Sequence, residues 1–308
     1  MLKVMLVFLL LGLAPTAVAG DTSAAAGGEC DGDGDDAYSV IDILDPDAPA
    51  AIKARNLDVV KRLAMNPDCM YTRYLLGLLH RHGSDLPGNP VAKDVAVARG
   101  LIEEYALAGN VQGFADLAEM ALEQKQAREA MQWTQIYLYL VTTQEGTLEG
   151  FDRSGYNADL LQRAYGAWRG ARLPTGKDAI EASFNAYLQP RKAELDARLL
   201  EAQEETLRPS DQSGGADQLR IKSQKKFRSF SGPSKPGYAI YLLEVQPNGK
   251  VSRIVVETFA PLPEHARYLR PLVEGTTFHP FTGNEPIVAR LPMQYGYTDG
   301  VKIKKQKP

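Results

Sequence analysis

Chemistry-bearing residues are scarce in this chain, and the scarcity narrows what it does. Its 308 residues include two cysteines, four histidines and two tryptophans. Two cysteines fall short of a cysteine-based zinc site, and His80 and His82 do not complete one at a convincing spacing. No His-Glu-x-x-His pair, phosphate loop, dinucleotide fingerprint or nucleophile elbow occurs. The adjacent carboxylates Glu103/Glu104 and Glu204/Glu205 diverge around a helix, which suits solvent better than a shared proton. His265 falls in a short helical stretch, and His279, between Phe278 and Pro280, has no evident acid–base partner and reads as structural. No catalytic residue, metal or cofactor is therefore expected, with a hydrolase as the enzymatic alternative. After the N-terminus, no apolar run reaches the ~20 residues that a membrane span needs.

What is present begins with an export pattern. Residues 1–19 join Lys3, an apolar core at 4–13 and Ala17-Val18-Ala19 before Gly20, the layout of a cleavable secretory signal. This layout predicts a soluble periplasmic protein; an uncleaved anchor in the inner membrane is the alternative. Residues 20–47 read as a disordered, acidic and Gly-rich lead. Asp31, Asp33 and Asp35 match the start of a calcium loop. The sixth position, however, is Asp36 where the sharp turn needs Gly, and the twelfth is Asp42, shorter than the usual Glu. A solvated acidic lead is the simpler reading. In an exported chain, Cys30 and Cys69 are expected to pair, stabilising the fold by ~3–4 kcal/mol in the chain-entropy model.

Residues 48–205 read as a helical domain. Tyr74, Leu75, Leu78 and Leu79 form one stripe, and Ala98, Leu101, Ile102, Tyr105 and Ala106 form the next, ending at Gly109. Phe114, Leu117, Ala118 and Ala121 then face Ala130, Trp133, Ile136 and Tyr137. Leu75-Leu76-Gly77, Ala106-Leu107-Ala108-Gly109-Asn110 and Asp116-Leu117-Ala118-Glu119-Met120 resemble Sel-one-like repeats, relatives of the tetratricopeptide class. That resemblance implies stacked helical hairpins that serve as a protein-interaction platform. Pro190 should kink or break the long helical run at 177–203. A polar linker follows at 206–218, and a second region occupies 219–300, with a basic tail at 301–308.

The organising stretch is 237–297. Pro247-Asn248-Gly249-Lys250 separates two β-rich runs, and Asn-Gly predicts a primed hairpin turn. Tyr241, Leu243 and Val245 share one face, and Ile254 and Val256 alternate with Arg253, Val255 and Glu257. Leu262, Ala266, Leu269 and Val273 match a short helix that Pro271 should shorten or kink. In the last strand Ile287, Ala289, Leu291, Met293 and Tyr295 take one side. Pro292 predicts an edge position or a bulge for it. The whole chain is thus read as α+β: an N-terminal all-α helical-hairpin domain, then a small α+β domain of three antiparallel strands and one helix.

This stretch resembles the C-terminal domain of TonB-type energy transducers. The resemblance rests on Pro247-Asn248-Gly249-Lys250-Val251, Val255-Val256-Glu257, Phe278-His279-Pro280, Gly283-Asn284-Glu285-Pro286-Ile287-Val288 and Leu291-Pro292-Met293-Gln294-Tyr295. It implies a non-catalytic module, since the best-known members contact outer-membrane receptor segments by strand addition. It also implies a partner strand beside 287–295, with Ile287, Ala289, Leu291, Met293 and Tyr295 as candidate partner-binding residues.

Charge divides the same way. Residues 20–205 hold 18 Lys and Arg against 30 Asp and Glu, whereas residues 206–308 hold 16 against 8. Within the second part, Leu219–Phe230 interleaves basic and aromatic residues. The basic half is expected to dock on its own acidic domain, on an anionic membrane surface or on an acidic partner, unless these charges are solvated faces. Nucleic acid is not expected for an exported chain. Together these readings predict a non-enzymatic periplasmic adaptor that binds cell-envelope proteins. An inner-membrane-anchored, TonB-like transducer is the alternative.

Overall fold

A computed structural model describes residues 30, 38–145, 155–207, 219–224, 233 and 235–296. The export pattern at 1–19, the aspartates at 31–36, most of the expected linker and the basic tail lie outside these residues. The helices that come first are α1 (Val40–Leu44), α2 (Ala50–Leu63), α3 (Met70–His82), α4 (Val95–Leu107) and α5 (Val111–Glu123). They continue with α6 (Ala127–Glu145), α7 (Tyr156–Gly170), α8 (Lys177–Leu188) and α9 (Lys192–Leu207). Then come β1 (Ile221–Ser223), β2 (Gly237–Val245), β3 (Val251–Ala260), α10 (Pro263–Glu274), β4 (Thr277–Phe278) and β5 (Ile287–Tyr295). The α+β class holds.

Local chemistry explains the helical pairs. Asp94 caps α4 by accepting from the Ala96 and Val97 amides, both at 3.1 Å. Gly77 lets α3 close on α4: a Cβ there would sit 2.9 Å from Ile102 Cγ1. Gly113 allows the same approach of α5 to Ala106, so small residues set the helix spacing as their pattern predicts. Pro190 falls between α8 and α9 and splits the run into two helices. In α10 the helix instead continues through Pro271. The hydrogen bond lost there belongs to the Arg267 carbonyl on an exposed turn, and buried Leu272 and Val273 anchor the end.

β2, β3 and β5 form an antiparallel sheet in the order β3-β2-β5, and β1 pairs with β4 in a separate ribbon. Between β2 and β3, the Gly249 amide bonds the Gln246 carbonyl and the Gln246 amide bonds the Lys250 carbonyl, both at 2.8 Å. Only Gly249 takes positive φ, at 80°, so Asn248 does not adopt the primed turn expected of Asn-Gly. Pro247 fits position two of an ordinary turn, and Gly249 supplies the left-handed residue of a three-residue loop.

The two-domain expectation needs correction. β2 is buried along nearly its whole length, on both faces. One face (Ala239, Tyr241 and Leu243) packs on α10, and the other (Tyr238, Ile240 and Leu242) packs on the helical half. A single apolar cluster runs from Val40, Leu57, Leu75 and Leu79 into the sheet. The sheet is therefore a middle layer rather than a tethered module. The lead is corrected as well: within 20–47, Ser39 caps α1, and Val40, Ile41, Ile43 and Leu44 are buried against the sheet. Four apolar residues in five outweigh the acidic composition around them.

Candidate functional site at the sheet edge

Two features stand out: a largely buried polar seam where the helices meet the sheet, and the outer edge of β5. The seam starts at a bulge. Ile240 pairs with Thr258 and Tyr241 with Val256, which leaves Glu257 as the extra residue of β3. The bulge turns the fully buried Glu257 side chain toward the helices. There Tyr71 of α3 donates to it at 2.7 Å, and Arg290 of β5 donates from Nε at 2.6 Å. Beside it, buried Asp116 of α5 accepts from Tyr74 and Tyr238 at 2.8 Å each and pairs with Arg81 of α3. Gln112 donates to the Tyr238 hydroxyl at 2.8 Å. Further along α5, Glu119 accepts from Tyr156 at 2.7 Å and takes two bonds from Arg163 of α7, at 2.6 and 2.7 Å.

Burying charge is costly unless each charge has a partner and its remaining lone pairs are bonded. Each seam carboxylate meets these conditions, whereas Arg81 Nε and one terminal nitrogen of Arg290 are buried without a hydrogen-bond partner. Burial is the largest influence on Arg81, Arg163 and Arg290 and works to lower their pKa. The facing carboxylates, and for Arg163 the bond to Glu119, outweigh it and leave all three raised. Burial first, with Glu257, Asp116 or Glu119 beside them, pushes the Tyr71, Tyr74, Tyr156 and Tyr238 hydroxyls up, so they serve as neutral donors. His82 sits in the same interface, its Nε2 2.9 Å from Thr258 Oγ1 and its ring 4.3 Å from that of Phe259. Burial, then Arg81 and Lys93, holds its pKa well below the usual range. With its carboxylates buried and each paired to a guanidinium, the seam ties the sheet to the helices.

A second docking contact lies near the hairpin. Arg253 of β3 reaches Asp42 of α1, Glu244 of β2 and, at 3.8 Å, Asp45. Asp42, the twelfth position of the partial calcium pattern, thus takes a guanidinium. Among the described residues, no three His, Cys, Asp or Glu side chains converge as a metal site would require. Cys30 and Cys69 form the expected disulfide, with a Cα–Cα distance of 5.2 Å. No helix of the described residues is long and apolar enough to cross a membrane. His265 is buried under the sheet's other face, with Nε2 3.2 Å from the Lys235 carbonyl and its ring stacked on Tyr295. His279 is exposed.

β5 is an edge strand, as Pro292 predicts, and it runs in register with β2 over all nine residues without a bulge. The Gln246–Lys250 bond shows that even-numbered residues of β2 point their backbone groups at β3. Odd-numbered ones therefore face β5. Pro292, opposite Ile240, then turns its nitrogen outward, as do Val288, Arg290 and Gln294. Among the described residues, no strand pairs with that outer side. Of the five side chains expected to meet a partner, Ala289, Leu291, Met293 and Tyr295 are instead core residues and Ile287 is half-buried. The strand therefore offers its backbone, not that apolar row. The sequence reading missed Asp116, Glu119 and Glu257. A usable signal existed in α5, where residues 113–121 are small or apolar nearly all round, so any acid among them had to be enclosed.

No protein-family model, curated protein or solved structure matches this chain.

Proposed function

We propose that this chain is a non-enzymatic adaptor of the cell envelope that captures an extended segment of a partner protein along the outer edge of β5. The observation that carries this reading is the nine-residue edge strand with outward backbone groups at Val288, Arg290 and Gln294. Strand addition draws its affinity from such main-chain groups. Pro292 interrupts the row of donors and so limits the register a partner strand adopts. The resemblance to TonB-type domains points the same way, and the disulfide suits an oxidising compartment such as the periplasm. A non-catalytic role is supported by the seam, whose buried carboxylates are each taken up by a guanidinium.

The test uses proline as a backbone probe. Gln294→Pro removes an outward donor and spares the β2 ladder, whereas Met293→Pro removes an inward one. Crosslinking from envelope fractions should recover partners with the wild type and lose them with Gln294→Pro at an unchanged melting temperature. Recovery of the same partners by Gln294→Pro would refute edge capture.

A further inference from the structure

The hairpin end of the sheet carries a cluster of cations that the seam and the edge leave unused. The Phe278 amide of β4 bonds the Gly249 carbonyl at 2.9 Å, and the His279 amide bonds the Arg220 carbonyl at 2.8 Å. Ile221 pairs with Phe278, so the hairpin tip, β4 and β1 lie side by side. Around that junction Arg220, Lys222 and Lys250 are all exposed. Gly249 makes the junction tight, since a Cβ on it would fall 2.2 Å from the Phe278 carbonyl oxygen. The positions of these cations are thus set by backbone rather than by floppy loops. Among the described residues, Arg220, Lys222 and Lys250 enter no ion pair, in contrast to Arg253, Arg267, Arg270 and Arg290. The nearby acids Glu244, Asp42 and Asp45 are occupied by Arg253 on the helical face. Glu285, on the connection after β4, is the one exposed acid between β4 and β5.

We infer that this end of the sheet rests on an anionic phospholipid surface. A tip whose exposed cations pair with no acid among the described residues suits a plane of diffuse negative charge better than a shaped pocket, because attraction to such a surface adds per basic side chain without specific geometry. Docking there presents β5, on the far side of β2 from β3, beside the bilayer rather than under it.

The test is co-sedimentation of the full chain with vesicles of phosphatidylglycerol and phosphatidylcholine, against pure phosphatidylcholine vesicles and against soluble polyglutamate. The wild type should bind the anionic vesicles, release in high salt and ignore pure phosphatidylcholine. Arg220→Gln, Lys222→Gln and Lys250→Gln together should weaken binding roughly a hundredfold, at about fivefold per side chain. All three side chains are exposed, so an unchanged thermal transition is expected of the triple variant. No binding to anionic vesicles, equal binding by the triple variant, or capture by polyglutamate but not vesicles would overturn the inference. So would loss of binding only when Lys302, Lys304, Lys305 and Lys307 are replaced.

Discussion

Tyr238→Phe removes one oxygen from the seam and tests whether the sheet and the helices stand or fall together. Tyr238 belongs to β2, yet its hydroxyl donates to Asp116 of α5 and accepts from Gln112, each at 2.8 Å. A hydrogen bond to a charged group contributes about 1.5–3 kcal/mol net. Asp116 keeps Tyr74 and Arg81, so the remaining seam stays paired and the loss should stay near ~2 kcal/mol. With a urea slope of about 2 kcal/mol/M, the midpoint falls by roughly 1 M. Both tryptophans, Trp133 in α6 and Trp168 in α7, are buried in the helical half. Their emission therefore reports helix unfolding without direct sight of the sheet. A drop of this size in the tryptophan midpoint, matched by the far-ultraviolet signal, is the expected result. A tryptophan transition that ignores the substitution would show two independent domains and refute the reasoning.

Stability should also fall on acidification, because the unfolded chain protonates His82 near pH 6.5 while the folded interface keeps it neutral. The contribution is fully present above the unfolded pKa and is lost below it at up to about 1.4 kcal/mol per pH unit, until the folded pKa is reached. His265, also lowered by burial, adds with the same sign. His82→Leu should flatten urea midpoints measured between about pH 7 and pH 5, and an unchanged slope would count against the assignment. Gly237→Ala would drive a Cβ to within 1.9 Å of the His265 ring and 2.5 Å of the Ala260 carbonyl oxygen. It should cost at least about 1–3 kcal/mol, read as a lower melting temperature, and a neutral outcome would contradict the packing. Reducing the Cys30–Cys69 disulfide, which spans 39 positions, should cost ~3–4 kcal/mol. Equal melting temperatures with and without a thiol reductant would contradict that.

Much of the architecture was legible in residues whose local chemistry decides their structure. Periodicity marked α3 to α6, Pro190 marked the break between α8 and α9, and Pro292 marked the edge of the sheet. Side chains that answer to distant partners were not legible. Asp116 and Glu119 stood in the sequence only as members of a repeat-like phrase, but sheet residues and α7 enclose them. Glu257 follows the alternation of β3 only until the bulge, which a period-two reading has no means to register. α1 is too short to announce itself by periodicity and is held by docking on the sheet. Basic residues did dock on the chain's own acidic half through Arg253 and Asp42, one of the destinations the charge asymmetry allowed. Residue pattern also placed β5 at the sheet edge without showing which of its groups face outward.

Hydrogen exchange along β5 in the full-length protein tests the edge assignment most directly. Amides at Ala289, Leu291, Met293 and Tyr295 point into the ladder with β2 and should exchange slowly, whereas those at Val288, Arg290 and Gln294 should exchange fast. That alternation would show backbone groups ready for a partner strand, and added partner should slow the fast set alone. Uniform slow exchange along the strand would mean that its outer side is already covered, and would contradict the account.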